Sequence, residues 1–297
     1  MTLSDILNEI QSRETCLYLV HKVNKKNKEI DFNIVNPSIN EQLKDELKHI
    51  VTKEIEKHKD DSLDCYNPIG DLDNTVETAN AKEYNSIQRI KTAMKKPKQK
   101  YRFNNSSFDF FMYVFPDKDN DIIAFRRIRN FKVFKKGFIG NLVDGNFKKL
   151  ENQDLLGTDD SVDFVIFDDN IFIFNHISFE RVLDLRSEFY SKAESVLNDP
   201  VLSNGIKNFN KLQSAALSNQ SYIKRLAKLG SKNNSTLFLE DISATKDVIK
   251  DFNLGIGIAG NKLVYEDESQ VSSYIGLMQD AYYRTLIGKQ DGVDQRR

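Results

Sequence analysis

The chain has 297 residues, is 39% hydrophobic and 29% charged, and carries a formal net charge of −1, a globular composition long enough for two domains of ordinary size. No run of about eighteen apolar residues occurs, and MTLSDILNEIQSRE carries acids where a secretory leader would have a basic end and an apolar stretch, so neither export nor a membrane span is expected. Cys16 and Cys65 are the only cysteines, lack zinc-binding spacing, and read as buried or idle thiols in a reducing cytosol.

Along the chain, ETCLYLVH (14–21) and EIDFNIV (29–35) predict two early strands. Ser38 and Glu41 form a capping-box pattern, and Leu43, Leu47, Ile50, Val51 and Ile55 recur on one face of the helix it opens. From Asp60 to about Thr78 the chain turns polar around Asn67-Pro68 and Gly70, predicting a loop or a short irregular strand. Residues 84–96 predict a helix that Pro97 ends, because the residue before a proline is pushed out of helical geometry.

Strands then follow closely. SFDFFMYVF (107–115), DIIAFRRI (121–128) and FKVFKKG (131–137) are rich in aromatic and β-branched residues. FIGNLV and FKKLE flank Asp144-Gly145, a pair suited to the positive φ of a tight hairpin turn. SVDFVIFDDNIFIFN predicts another hairpin, apolar on both faces and therefore covered. From Ser178 the character changes: Phe179, Val182, Leu183, Phe189, Tyr190, Ala193 and Leu197 predict one long helix, and the pattern stays mainly helical to Gly230. GIAGNKLVYED predicts a short strand, and Val271, Tyr274, Ile275, Met278, Tyr282 and Leu286 a closing amphipathic helix before a tail, DGVDQRR, expected to fray. The expected class is α+β, with an antiparallel hairpin-built sheet and flanking helices over residues 1–177 and a mainly helical part with one short strand over 178–297.

Most catalytic patterns fail on context. Gly255, Gly257 and Gly260 spell GxGxxG, but NKLVYED follows as a strand where a dinucleotide site needs a helix, so the glycines read as a turn. Asp163, Asp168, Asp169 and Glu180 form an acidic cluster beside apolar strands, as magnesium-dependent nucleases use, yet the lysine such a core wants is missing and Asp168-Asp169-Asn170 suits a hairpin turn. His176 reads as a structural hydrogen bonder at a helix start. No nucleophile elbow or P-loop occurs, and no cofactor is expected.

Charge is more informative. Residues 91–149 hold fifteen Lys or Arg against five Asp, whereas 150–200 hold twelve acids against three bases. KTAMKKPKQKYR (91–102) has six bases and no acid, among them Lys95, Lys96, Lys98, Lys100 and Arg102. RRIRNFKVFKKG (126–137) repeats the pattern with Arg126, Arg127, Arg129, Lys132, Lys135 and Lys136. A third acid-free zone, 203–232, includes Lys224, Arg225 and Lys228, with Lys224 and Lys228 four apart on one helical face. Clustered cations without acidic neighbours suit a phosphate backbone, where affinity comes from counterion release. These fourteen residues are the candidate DNA-binding set, and no sequence-reading motif accompanies them.

At SVDFVIFDDNIFIFNHISFERVLDL (161–185), with Tyr190 and Ala193 and the ending LMQDAYYRTLIG (277–288), the chain resembles the KwaB family of the Kiwa anti-phage defence system, over residues from about 80 to 288. The resemblance implies a cytoplasmic, oligomeric protein, a homodimer or larger, that binds phage DNA and is recruited to the inner membrane by a small membrane-embedded partner, KwaA. It supplies no position-by-position set of DNA contacts, so the residues above rest on local charge. The expected function is non-catalytic, largely sequence-independent DNA binding. A magnesium-dependent nuclease, or a scaffold for an acidic protein or anionic lipid, is the alternative.

Overall fold

The computed structural model describes residues 2–24, 30–70, 74–98, 108–118, 120–128, 139–143, 146–150, 158–229 and 235–294. It divides into two units, one of residues 1–67 and 71–184, the other of residues 68–70 and 185–297. The boundary follows Asp184, one helix later than the change of pattern at residue 178.

The first unit runs α1 (Leu3–Ser12), β1 (Cys16–Asn24), β2 (Ile30–Val35), α2 (Glu41–His58), β3 (Ser62–Cys65), β4 (Thr75–Asn80), α3 (Asn85–Met94), β5 (Phe110–Phe115), β6 (Ile122–Arg127), β7 (Ile139–Val143), β8 (Asn146–Leu150), β9 (Phe164–Phe167), β10 (Asn170–Ile173) and α4 (His176–Leu183). Among the described residues, eight strands form one sheet in the order β2-β1-β5-β6-β9-β10-β4-β3. Every pairing is antiparallel except β3 with β4. β7 and β8 pair separately.

Alternation along the strands gives this sheet two buried faces. Phe111, Tyr113 and Phe115 of β5 join Ile122 and Ala124 of β6 in a core with Ile6 and Ile10 of α1 and Leu47, Val51 and Ile55 of α2. Phe110 points the other way and begins an aromatic row: Phe110 lies 6.0 Å from Phe125, Phe125 stacks on Phe164 at 4.3 Å, and Phe164 meets Phe179 of α4 edge-on at 5.2 Å. Each fully buried ring contributes about 1.5–3 kcal/mol, so an aromatic strand such as FFMYVF is stable only with helices on both sides.

Several local expectations shift by one physical step. α1 was not expected; Thr2 and Asp5 cap it reciprocally, Thr2 Oγ1 accepting from the Asp5 N–H and Asp5 Oδ2 from the Thr2 N–H. α2 is capped by Asn40, whose side chain accepts from the Leu43 N–H, rather than by Ser38. The polar stretch at 60–78 contributes β3 and the start of β4. The turn of the 161–175 hairpin does fall at Asp168, in the left-handed region at φ 54°. The strand predicted at 131–137 and the turn at 144–145 lie outside the described residues.

The second unit contains α5 (Leu185–Leu197), α6 (Pro200–Gly205), β11 (Ile206–Lys207), α7 (Phe209–Ser218), α8 (Gln220–Leu229), α9 (Leu237–Glu240), α10 (Ile242–Asp251), β12 (Gly257–Ala259), β13 (Lys262–Val264), α11 (Val271–Met278), β14 (Tyr282–Arg284) and β15 (Asp291–Val293). The long helix expected from residue 178 is two, because Asp184 adopts φ 56° between α4 and α5. The glycine motif is a turn region: Gly255 and Gly260 have φ near +67° and +65°, and Gly260 joins β12 to β13. α11 stops at Met278, before Asp280 at φ 50°, and Tyr282 instead starts a hairpin with β15, which orders part of the tail expected to fray. Among the described residues, no helix is long and apolar enough to cross a membrane.

Candidate nucleic-acid interface

Helix α3 carries the first basic run. Ile87 and Ile90 face the sheet and are buried, which turns Asn85, Gln88, Thr92, Lys95 and Lys96 outward. The helix ends at Met94 with Lys91 in its last turn, where a cation complements the partial negative charge of the terminal carbonyls. Pro97 then leads the chain back along β2, and the Lys98 N–H donates to the Ile34 carbonyl at 2.9 Å. Lys95, Lys96 and Lys98 are exposed. Lys100 and Arg102 lie outside the described residues.

Two clefts flank α3 and share Gln88 and Thr92. The one against β2, of about 740 Å³, is lined by Arg89, Lys96 and Lys98, with Asp31 as the single carboxylate among the described residues. Arg89 Nη1 donates to the Ile30 carbonyl at 2.9 Å, tying the helix to that edge strand. The cleft on the opposite flank, of about 470 Å³, sets Lys91, Lys95 and Lys118 against Asp117, Asp121 and Asp168. Arg89 and Lys118 belong to none of the acid-free runs, although Arg89 lines the same cleft as Lys96, which lies just past the helix end.

The second basic run changes meaning at its first residue. Arg126 lies on the β6 face that carries Ile122 and Ala124, and its side chain is 4% exposed. Nη1 donates to Asp163 Oδ1 at 2.8 Å, and Nη2 pairs with Asp159. Burial opposes the charge, and the two aspartates outweigh it, holding the guanidinium above its ordinary pKa. Arg126 therefore leaves the candidate DNA-binding set, its donors being used inside the fold. Arg127 is half-buried, and its N–H donates to Asp163 Oδ2 at 2.6 Å. Arg129, Lys132, Lys135 and Lys136 lie outside the described residues.

In the second unit the basic helix is α8, and its cations are half-buried. Lys224 Nζ sits 5.9 Å from the centre of the Phe189 ring. Arg225 donates from Nε and Nη2 to Gln279 Oε1 at 3.0 and 2.7 Å and from Nη1 to Ser272 Oγ at 3.0 Å. Lys228 lies one turn on from Lys224. Lys224 and Arg225 thus serve packing within that unit, which weakens the case for α8 as a phosphate surface.

The acidic cluster disperses. Asp163 is fully buried and saturated by Arg126 and the Arg127 N–H. Asp168 turns the hairpin, and Asp169 pairs with Lys82 at 2.5 Å. Glu180 belongs to a different constellation, in which His176 is held between Glu77 Oε2 at 2.6 Å and Glu180 Oε1 at 3.0 Å while the Tyr66 hydroxyl donates to Glu180 Oε1 at 2.9 Å. Burial alone would lower the His176 pKa, but the hydrogen bonds to Glu180 and Glu77 raise it to about 9. The histidine is a hydrogen-bonded cation joining β4 to α4. Among the described residues, no group of three or more His, Cys, Asp or Glu side chains is placed to hold a metal ion.

These features define a two-unit α+β protein whose sheet is tied by internal ion pairs and whose first unit exposes lysines beside a cationic cleft. The model of the family described as Kiwa protein KwaB-like matches residues 105–288, more than half of the chain, so the chain belongs to that family and, with it, to the Kiwa anti-phage defence system. No curated protein matches the chain, and no solved structure does.

Proposed function

We propose that this chain is a non-catalytic, largely sequence-independent DNA-binding effector of anti-phage defence. The observation that carries the reading is the exposed run of Lys95, Lys96 and Lys98 at the end of α3, beside a cleft where the described residues place three cations and one carboxylate. Such a surface neutralises phosphates and gains affinity from the counterions it releases, whatever the base sequence. Lys100, Arg102, Arg127, Arg129, Lys132, Lys135 and Lys136 extend the same charge along the sequence and remain in the proposed set.

The non-catalytic part of the proposal is supported by Asp163, whose two carboxylate oxygens are engaged by Arg126 and the Arg127 N–H. Family membership supports a place in a defence complex. Within it the chain is proposed to form a homodimer or larger oligomer and to be drawn to the inner membrane by a KwaA-like partner, so that weak contacts to DNA add up by avidity. The test is a mobility-shift assay with two duplexes of unrelated sequence, with and without magnesium. Equal binding and intact DNA are expected; a strong preference for one sequence, or cleavage, contradicts the proposal.

A further inference from the structure

We propose that the cleft between β2 and α3 holds an unpaired nucleotide of a nucleic-acid strand, its phosphate against Lys96, Lys98 and Arg89 and its base against the polar side chains nearer the start of α3. This rests on the DNA-binding reading and narrows it to one cleft and one state of the strand.

Charge selects the cleft. Among the described residues both flanks of α3 are lined by three cations, but the β2 side has one carboxylate and the other side three, so a phosphate is attracted to the first and finds no net charge from these groups in the second. The chosen cleft is also preformed. Arg89 on the Ile30 carbonyl and the Lys98 N–H on the Ile34 carbonyl fasten it to both ends of β2, so little ordering is needed on binding. Its volume of about 740 Å³ lies within the roughly 300–1,000 Å³ of clefts that enclose a small organic ligand, and a nucleotide is of that size class.

The chemistry along α3 is graded in the same sense. Lys96 and Lys98 lie just beyond its C-terminal end, Arg89 in the middle, and Asn85 and Gln88 in the first turn, both exposed. An amide side chain donates and accepts, so Asn85 and Gln88 can meet the edge of any base, which keeps the contact tolerant of sequence. In a duplex those edges face the other strand; in an unpaired nucleotide they are open. Phe32, on the floor, is 4% exposed, so the cleft offers edge hydrogen bonds rather than ring stacking.

Fluorescence anisotropy on the full chain tests this with a short labelled single strand, the duplex of the same sequence, and a deoxynucleoside monophosphate as competitor. The single strand is expected to bind more tightly than the duplex, Lys96→Glu with Lys98→Glu to weaken it on the order of tenfold, and Gln88→Ala to narrow the gap between strand and duplex. Lys91→Glu with Lys118→Glu, in the balanced cleft, is expected to leave single-strand affinity within about threefold. Equal losses from the two charge reversals, or a monophosphate that competes as well as the strand, overturn the inference. Duplex binding without single-strand binding overturns it while leaving the DNA-binding reading standing; absence of binding to either removes both.

Discussion

Arg126 and Asp163 form a buried ion pair between β6 and the start of β9, Nη1 to Oδ1 at 2.8 Å, with side chains 4% and 0% exposed. The Asp163 backbone adds to the junction, its N–H donating to the Phe125 carbonyl and its carbonyl accepting from the Phe174 and Asn175 N–H groups. Removing one partner strands the other charge in the interior. Asp163→Ala is expected to cost about 3–5 kcal/mol in urea unfolding, against a much smaller cost for exposed Lys96→Ala. A loss below about 1 kcal/mol for Asp163→Ala contradicts the pairing.

The Glu77–His176–Glu180 arrangement predicts how stability varies with pH. The folded-state pKa of His176, about 9, lies above its ordinary 6.5, so the protonated ring binds its partners more strongly in the folded chain. That contribution is complete below about pH 6.5 and is lost as pH rises through about 9, with an upper size on the order of 3 kcal/mol. Unfolding midpoints measured from about pH 6 to 10 should fall across this window, and the fall should be smaller in His176→Gln.

Arg225 offers a contrast between packing and binding. Its three donors are directed at Gln279 and Ser272, and burial lowers its pKa. Arg225→Ala is expected to destabilise the second unit by about 1.5–3 kcal/mol while leaving DNA affinity within about twofold. Weaker DNA binding at unchanged stability would return α8 to the interface.

The nuclease alternative depends on Asp168, which stands at φ 54° in the β9–β10 turn. Glycine accepts that geometry at no steric cost, so Asp168→Gly is expected to fold with stability equal to the parent or up to about 1 kcal/mol higher. DNA incubated with either protein and magnesium or manganese should stay intact. Cleavage by the parent that Asp168→Gly abolishes would establish the enzyme.

The fold was largely legible because its strands are extreme in composition: FFMYVF and FVIFDDNIFI admit few readings other than covered strands. Helix interruptions were less legible, since Asp184 and Asp280 break apolar patterns that continue across them and only the left-handed backbone at each residue reveals the stop. For the interface, sequence identified charge without direction. Lys96 and Arg126 belong to similar basic runs, yet one follows a helix end into solvent and the other falls on the inward face of a strand. Strand parity at Arg126, on the same face as Ile122 and Ala124, was the available signal. The cationic cleft was hidden because β2 and Arg89 are separated by more than fifty residues and meet only through the sheet.

The most direct measurement is the salt dependence of duplex DNA affinity for the parent chain and for Lys95→Ala with Lys96→Ala and Lys98→Ala. If these lysines meet phosphates, the logarithm of the association constant falls linearly with the logarithm of salt concentration, and the triple variant lowers the steepness by about 0.9 for each phosphate no longer neutralised, about 2.7 if all three lysines bind. An affinity that ignores salt, or a slope the triple variant leaves unchanged, contradicts α3 as the DNA-holding element.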